Sequence, residues 1–169
     1  IYLARPCMYH LNDLCHSDHW TDGRHAAELV DVMNEALDAV KQMYDVSSFE
    51  LIGHSGGGAM AVLMAAKRQD VSRIVTIAAN LDVAYFTDIH HVSEMKGSLN
   101  PVDFAKRVSS IPQLHLVGGD DYVIPYKLVE RYVRQSHSSC VKVKQMKGFT
   151  HLKGWLGVWP DVAQLNHDC

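Results

Sequence analysis

A chain of 169 residues, 47% apolar and 21% charged, has the composition of an ordinary folded domain and is long enough to bury most of its apolar surface in one core. Its formal charge of -3 and its scattered lysines and arginines give no basic face to steer a phosphate backbone, which excludes nucleic acid as the expected partner. The longest apolar stretch, residues 59–66, falls far short of the roughly 20 residues that cross a bilayer, so no membrane span is expected.

The chain opens on "IYLA", residues 1–4, an apolar run with strand character. No initiator Met, basic segment or small-residue cleavage site stands before it, which leads us to expect a processed chain or a fragment. Four cysteines, Cys7, Cys15, Cys140 and Cys169, allow three complete pairings. A bridge from Cys7 to Cys15 would close a short loop and place the protein in the periplasm or outside the cell; free thiols in a cytoplasmic protein are the alternative. Cys7, His10, Cys15, His16 and His19 match no familiar zinc spacing, and no metal is expected.

Ala26, Leu29, Val30, Met33, Ala36, Leu37, Val40, Met43 and Tyr44 recur with a period near 3.6, predicting a long amphipathic helix with Thr21 or Asp22 as its N-cap. "FELIGH" (49–54) follows as a strand, then a helix over 56–68, then the strand "RIVTIAA" (73–79). Residues 81–111 are too long for a simple crossover and too weakly patterned for a helix, so they read as an excursion over the site, or a small cap. "QLHLVG" (113–118) is a strand. A helix follows Pro125 with Leu128, Val129, Tyr132 and Val133 on one face, "VKVKQM" (141–146) alternates as an edge strand does, and a last helix is expected after His151. The first four strands are apolar enough to be covered on both faces. Strands alternating with helices predict one α/β domain over 1–169, a mostly parallel sheet flanked by helices, with ligand chemistry at the carboxyl ends of the strands.

Gly53-His54-Ser55-Gly56-Gly57 fits G-x-S-x-G between a predicted strand and a predicted helix. A serine on so sharp a turn is lifted above the sheet, Gly53 and Gly57 are expected to avoid collisions with neighbouring backbone, and the Gly56 N–H points where an oxyanion would form. The same segment lacks the endings of the phosphate-binding glycine loops. A serine needs a base, and the base needs an acid to orient it. "GGDDYVIP" follows the strand at 113–118, and "KGFTHLKGW" follows the last strand, so the order is Ser55, Asp121, His151. Asp120, a turn residue, and Asp82, at the end of the strand after the elbow, compete for the acid role. Among eleven histidines, His151 is set apart by its place after the last strand. His90 and His91 lie in the excursion, and His54 is expected to pack beside the sheet.

With these loops quoted, the chain resembles the α/β-hydrolase superfamily: "GGDDYVIP" looks like its G-x-x-D-x-x-[VI]-P acid loop and "KGFTHLKGW" like its histidine loop. "YLARPC", "WTDGRHAAELVDVMNEAL", "GHSGGGAMAVLMAA", "TIAANLD" and "GSLNP" resemble a bacterial, apparently exported group of these hydrolases. The resemblance implies a serine hydrolase acting on an ester, thioester or amide of a small acyl substrate through an acyl-enzyme, with Ser55, Asp121 and His151 as triad, Gly56 as oxyanion donor and no cofactor. It leaves an acyltransferase with the same triad, or a non-catalytic binding domain on this scaffold, as alternatives. It also makes "IYLA" the fourth strand of eight. Strands one to three, and the loop carrying a second oxyanion N–H, are then expected in an N-terminal portion before Ile1.

Overall fold

The computed structural model describes residues 1–158 and Cys169. Its centre is a four-stranded parallel sheet in the order β1 (Phe49–His54), β2 (Val71–Ile77), β3 (Gln113–Gly118) and β4 (Val141–Met146). Helix α1 (Ala27–Tyr44) precedes β1, α2 (Gly56–Ala65) joins β1 to β2, α3 (Val83–Ile89) opens the connection from β2 to β3, and α4 (Tyr126–Ser136) joins β3 to β4. Parallel neighbours need such crossovers, which is why each strand is followed by helical chain.

The burial of each helix follows from its residues. α1 turns one stripe inward, with Leu29, Val30, Met33 and Leu37 buried, and ends at Asp45 in the left-handed conformation. α2 is apolar all round and is buried from Gly58 to Ala65, because it lies between β1 and β2 on one side and α1 on the other. α4 packs on β3 and β4 through Leu128, Val129 and Tyr132. One core thus lies between the sheet and α1, α2 and α4. Alternate strand residues (Val75, Ile77, Leu114 and Leu116) point the other way and form a second core with Trp155. Two buried polar side chains beside the core satisfy each other: Tyr132 donates to Gln113 Oε1 at 2.8 Å, Gln113 donates to the Val108 carbonyl at 2.7 Å, and burial pushes the Tyr132 hydroxyl pKa up.

Ions tie the outside of α1 to the turn after α2. Arg68 holds Asp70 through two bonds of 2.8 Å and Asp38 through one of 2.7 Å, while Lys41 reaches Asp70 at 2.6 Å. The Arg68 guanidinium, with Lys41 adding to it, holds the Asp70 carboxyl well below the usual carboxylate range. Two disulfides are formed, Cys7–Cys15 and Cys140–Cys169. With Cys7 and Cys15 bonded to each other, neither is available to a metal.

Four expectations from the sequence change here. "IYLA" forms no strand: residues 1–4 have no regular secondary structure, with Ile1 and Tyr2 largely exposed. β1 therefore has no neighbour on its outer edge among the described residues, and only Leu51 of its six residues is buried. β2 and β3, with a strand on each side, are the ones covered on both faces. α1 starts at Ala27 because the Thr21 hydroxyl is already bonded to Ser17 and Asp22 and the chain turns through Gly23. α2 ends at Ala65 rather than at Arg68, whose side chain is drawn to Asp70. Residues 155–158 are helical, so the expected last helix begins at Trp155; residues 159–168, over which it would continue, lie outside the described residues. Among the described residues no helix is long and apolar enough to cross a membrane.

Candidate active site

Ser55 sits between the end of β1 and the start of α2 with φ 52° and ψ -122°, a conformation that L-residues rarely adopt. The turn is held from both sides: the Ser55 N–H donates to Ile77 O of β2 at 2.9 Å, and the Ser55 carbonyl accepts from Gly58 and Ala59 of α2. A Cβ on Gly53 would lie 2.2 Å from the Gly57 carbonyl oxygen, so only glycine fits there. Gly57 itself faces open space, against expectation. The second tight position is Gly58, where a Cβ would lie 2.4 Å from that of Ala79. Sequence reasoning picked Gly57 from the motif, but the close approach of α2 to β2 puts the constraint one residue later.

The acid loop follows β3 and the histidine loop follows β4, and the two strands are neighbours. The loops are stitched together by Gly119 N–H to Met146 O at 2.7 Å and Asp120 N–H to Phe149 O at 2.9 Å. Asp121 lies beneath them with its side chain fully buried. Its Oδ1 accepts from the Val123 and Ile124 N–H groups at 2.9 and 2.8 Å, and its Oδ2 lies 3.1 Å from His151 Nδ1. His151 Nε2 lies 3.1 Å from Ser55 Oγ. Serine, imidazole and carboxylate therefore form one hydrogen-bonded line at the carboxyl ends of β1, β3 and β4. Gly56 is the first residue of α2, so its N–H has no intrahelical acceptor and forms part of the positive end of the helix.

The competitors are occupied elsewhere. Asp120 is exposed on its turn. Asp82 is buried as the N-cap of α3, accepting from Tyr85 N–H at 3.1 Å and from Arg131 Nε at 2.7 Å. Arg131 in turn stacks 4.5 Å over the Tyr85 ring. His90 donates to the Val123 carbonyl at 2.8 Å, tying the excursion to the acid loop. His91 lines a cavity of about 470 Å³ within the excursion, together with Asp88, Glu94 and Met95.

Two histidines lie near the serine, one placed differently from expectation and one that the sequence did not single out. His54 is exposed at the end of β1 and bonds the backbone of the histidine loop rather than packing on the sheet. His25, just before α1, is 2% exposed, and its ring lies against the backbone of Gly56. Its own backbone is bonded to Ser98 and Leu99 of the excursion. Burial, with the charges of Arg5 and Arg24 adding to it, lowers the His25 pKa from 6.5 to about 4. As pH falls from 6.5 to about 4, the unfolded chain takes up a proton that the folded chain refuses. Stability is unaffected above that window and lost across it, by about 3 kcal/mol at its lower end. Urea unfolding of the wild type and of His25→Phe at pH 7, 5.5 and 4 is expected to show the variant losing less stability on acidification.

A parallel sheet carrying a strained serine on a strand-to-helix turn defines the class as α/β hydrolase. Residues 8–98 match the family described as alpha/beta hydrolase fold, and the chain belongs to that family. No curated protein sequence matches it. Among solved structures it is similar to a puromycin hydrolase, with a TM-score of 0.64 and 18% identity over 85% of this chain and 26% of that one. It is also similar to a monoacylglycerol lipase of Paleococcus ferrophilus, with a TM-score of 0.58 and 16% identity over 80% of this chain and 74% of that one. A third is an alpha-beta serine hydrolase homologue from Coxiella burnetii, with a TM-score of 0.56 and 20% identity over 82% and 56%. The chain spans 26% of the first of these and 56% of the third, and at such identities the likeness is one of fold.

Proposed function

We propose that the protein is a serine hydrolase that cleaves a carboxylic ester, thioester or amide, an ester above all, through an acyl-enzyme intermediate. The observation that carries this reading is the Ser55–His151–Asp121 line, with both contacts at 3.1 Å and the carboxylate buried. Asp121 accepts the Nδ1 proton of His151, leaving the Nε2 lone pair for the serine proton. Ser55 Oγ then bonds to the carbonyl carbon as its proton passes to Nε2, and the negative charge formed on the carbonyl oxygen meets the Gly56 N–H. Collapse of this intermediate expels the alcohol, thiol or amine, which takes the proton back from His151. Water repeats the sequence on the acyl-enzyme and releases the carboxylic acid. No step calls on a cofactor. The two disulfides favour an oxidising compartment, the periplasm or the exterior.

A fluorophosphonate tests the reading directly, since it phosphonylates only a serine whose proton is being removed by a base. Mass spectrometry of the labelled, digested protein is expected to place the adduct on Ser55. A folded protein that takes up no label would be a binding domain on this scaffold, and the proposal would fall.

A further inference from the structure

We propose that His54 is a positioning residue whose ring N–H latches the histidine loop to the nucleophile elbow. The proposal rests on the reading of Ser55 as nucleophile and His151 as its base. His54 Nε2 lies 2.8 Å from the carbonyl oxygen of His151, and the two imidazole rings are 5.0 Å apart at 50°. A carbonyl can only accept, so the His54 ring donates to it.

His151 is thereby held at three points. Asp121 and Ser55 bond its two ring nitrogens and set the direction of the ring. The position of its backbone is set through the carbonyl, which accepts from His54 and, at 3.2 Å, from Trp155 Nε1. Trp155 also donates to the Thr150 carbonyl at 3.0 Å and stands edge-on to Phe149, so it fixes the shape of the loop from within. The His54 bond is different in kind. It crosses to the segment that carries Ser55, whose own N–H is fixed on β2. It therefore sets the distance between nucleophile and base whether or not substrate is present, and a base displaced by a fraction of an ångström transfers a proton less well. Exposure of His54 means that little core packing depends on it.

The experiment compares wild type, His54→Phe, His54→Gln and Ser55→Ala in hydrolysis of p-nitrophenyl acetate, with thermal unfolding as control. Phe keeps the ring without a donor; Gln restores an N–H at about the position of Nε2. His54→Phe is expected to lower kcat about tenfold while KM and Tm stay near wild type, and His54→Gln to recover most of the loss. A purely structural role would move Tm, and a substrate contact would move KM. Wild-type kcat in His54→Phe, or a Gln variant no better than Phe, would overturn the latch while Ser55→Ala, inactive, upholds the catalytic reading. Full activity in Ser55→Ala would remove that reading and the latch with it.

Discussion

Ser55→Ala is expected to lower kcat for ester hydrolysis by at least about 10⁴-fold, with KM changed much less. The substitution removes one oxygen and leaves the elbow intact, because the backbone of residue 55 is fixed by Ile77, Gly58 and Ala59 and not by its hydroxyl. His151 keeps its bonds to Asp121 and His54. What is lost is the covalent route: water would have to attack directly, helped only by the base and the oxyanion donor. Because Ala carries the same backbone strain as Ser at this φ and ψ, the melting temperature is expected to stay close to wild type. Steady-state kinetics beside a melting curve check both halves, and equal rates for the two proteins would reject Ser55 as nucleophile.

Asp121→Asn is expected to cost about 10³- to 10⁴-fold in kcat through a change of tautomer. One carboxylate oxygen accepts from the Val123 and Ile124 N–H groups, and the other faces His151 Nδ1. An asparagine must keep its carbonyl oxygen on the two N–H groups, which turns its NH₂ toward His151. The ring then accepts at Nδ1 and carries its proton on Nε2, where it cannot take the proton of Ser55. The loop geometry is retained, so binding and Tm should change little. A variant that lost stability and KM together with kcat would show Asp121 to be a loop-closing residue and no more.

The α/β architecture was legible because strand and helix periods alternate along the chain and every crossover is long enough to return in parallel. Ser55, Asp121 and His151 could be singled out because each sits in a loop just after a strand, within a stretch that resembles the family's elbow, acid loop or histidine loop. What the sequence did not carry is contact across the fold. His54 reads as an unremarkable motif position until the histidine loop is seen 97 residues on, with its carbonyl facing the ring. His25 gives no signal at all, since its burial depends on Gly56 and on Ser98, far apart in the chain. The apolar character of residues 1–4 suggested a strand, but strands exist only in pairs, and no pairing forms there among the described residues. Asp82 was a fair competitor by position, and the partners that occupy it, the Tyr85 N–H and Arg131, 49 residues later, come together only in the fold.

The Cys140–Cys169 bridge joins the start of β4 to the far end of the chain, across a separation of 29 residues. His151 lies inside the closed segment. In the unfolded ensemble this closure removes conformational freedom worth about 3.5 kcal/mol on the chain-entropy account. The stretch that must bring the histidine to Asp121 and Ser55 therefore searches from a tether at both ends, and refolding under reducing conditions would have to find the same arrangement without that closure.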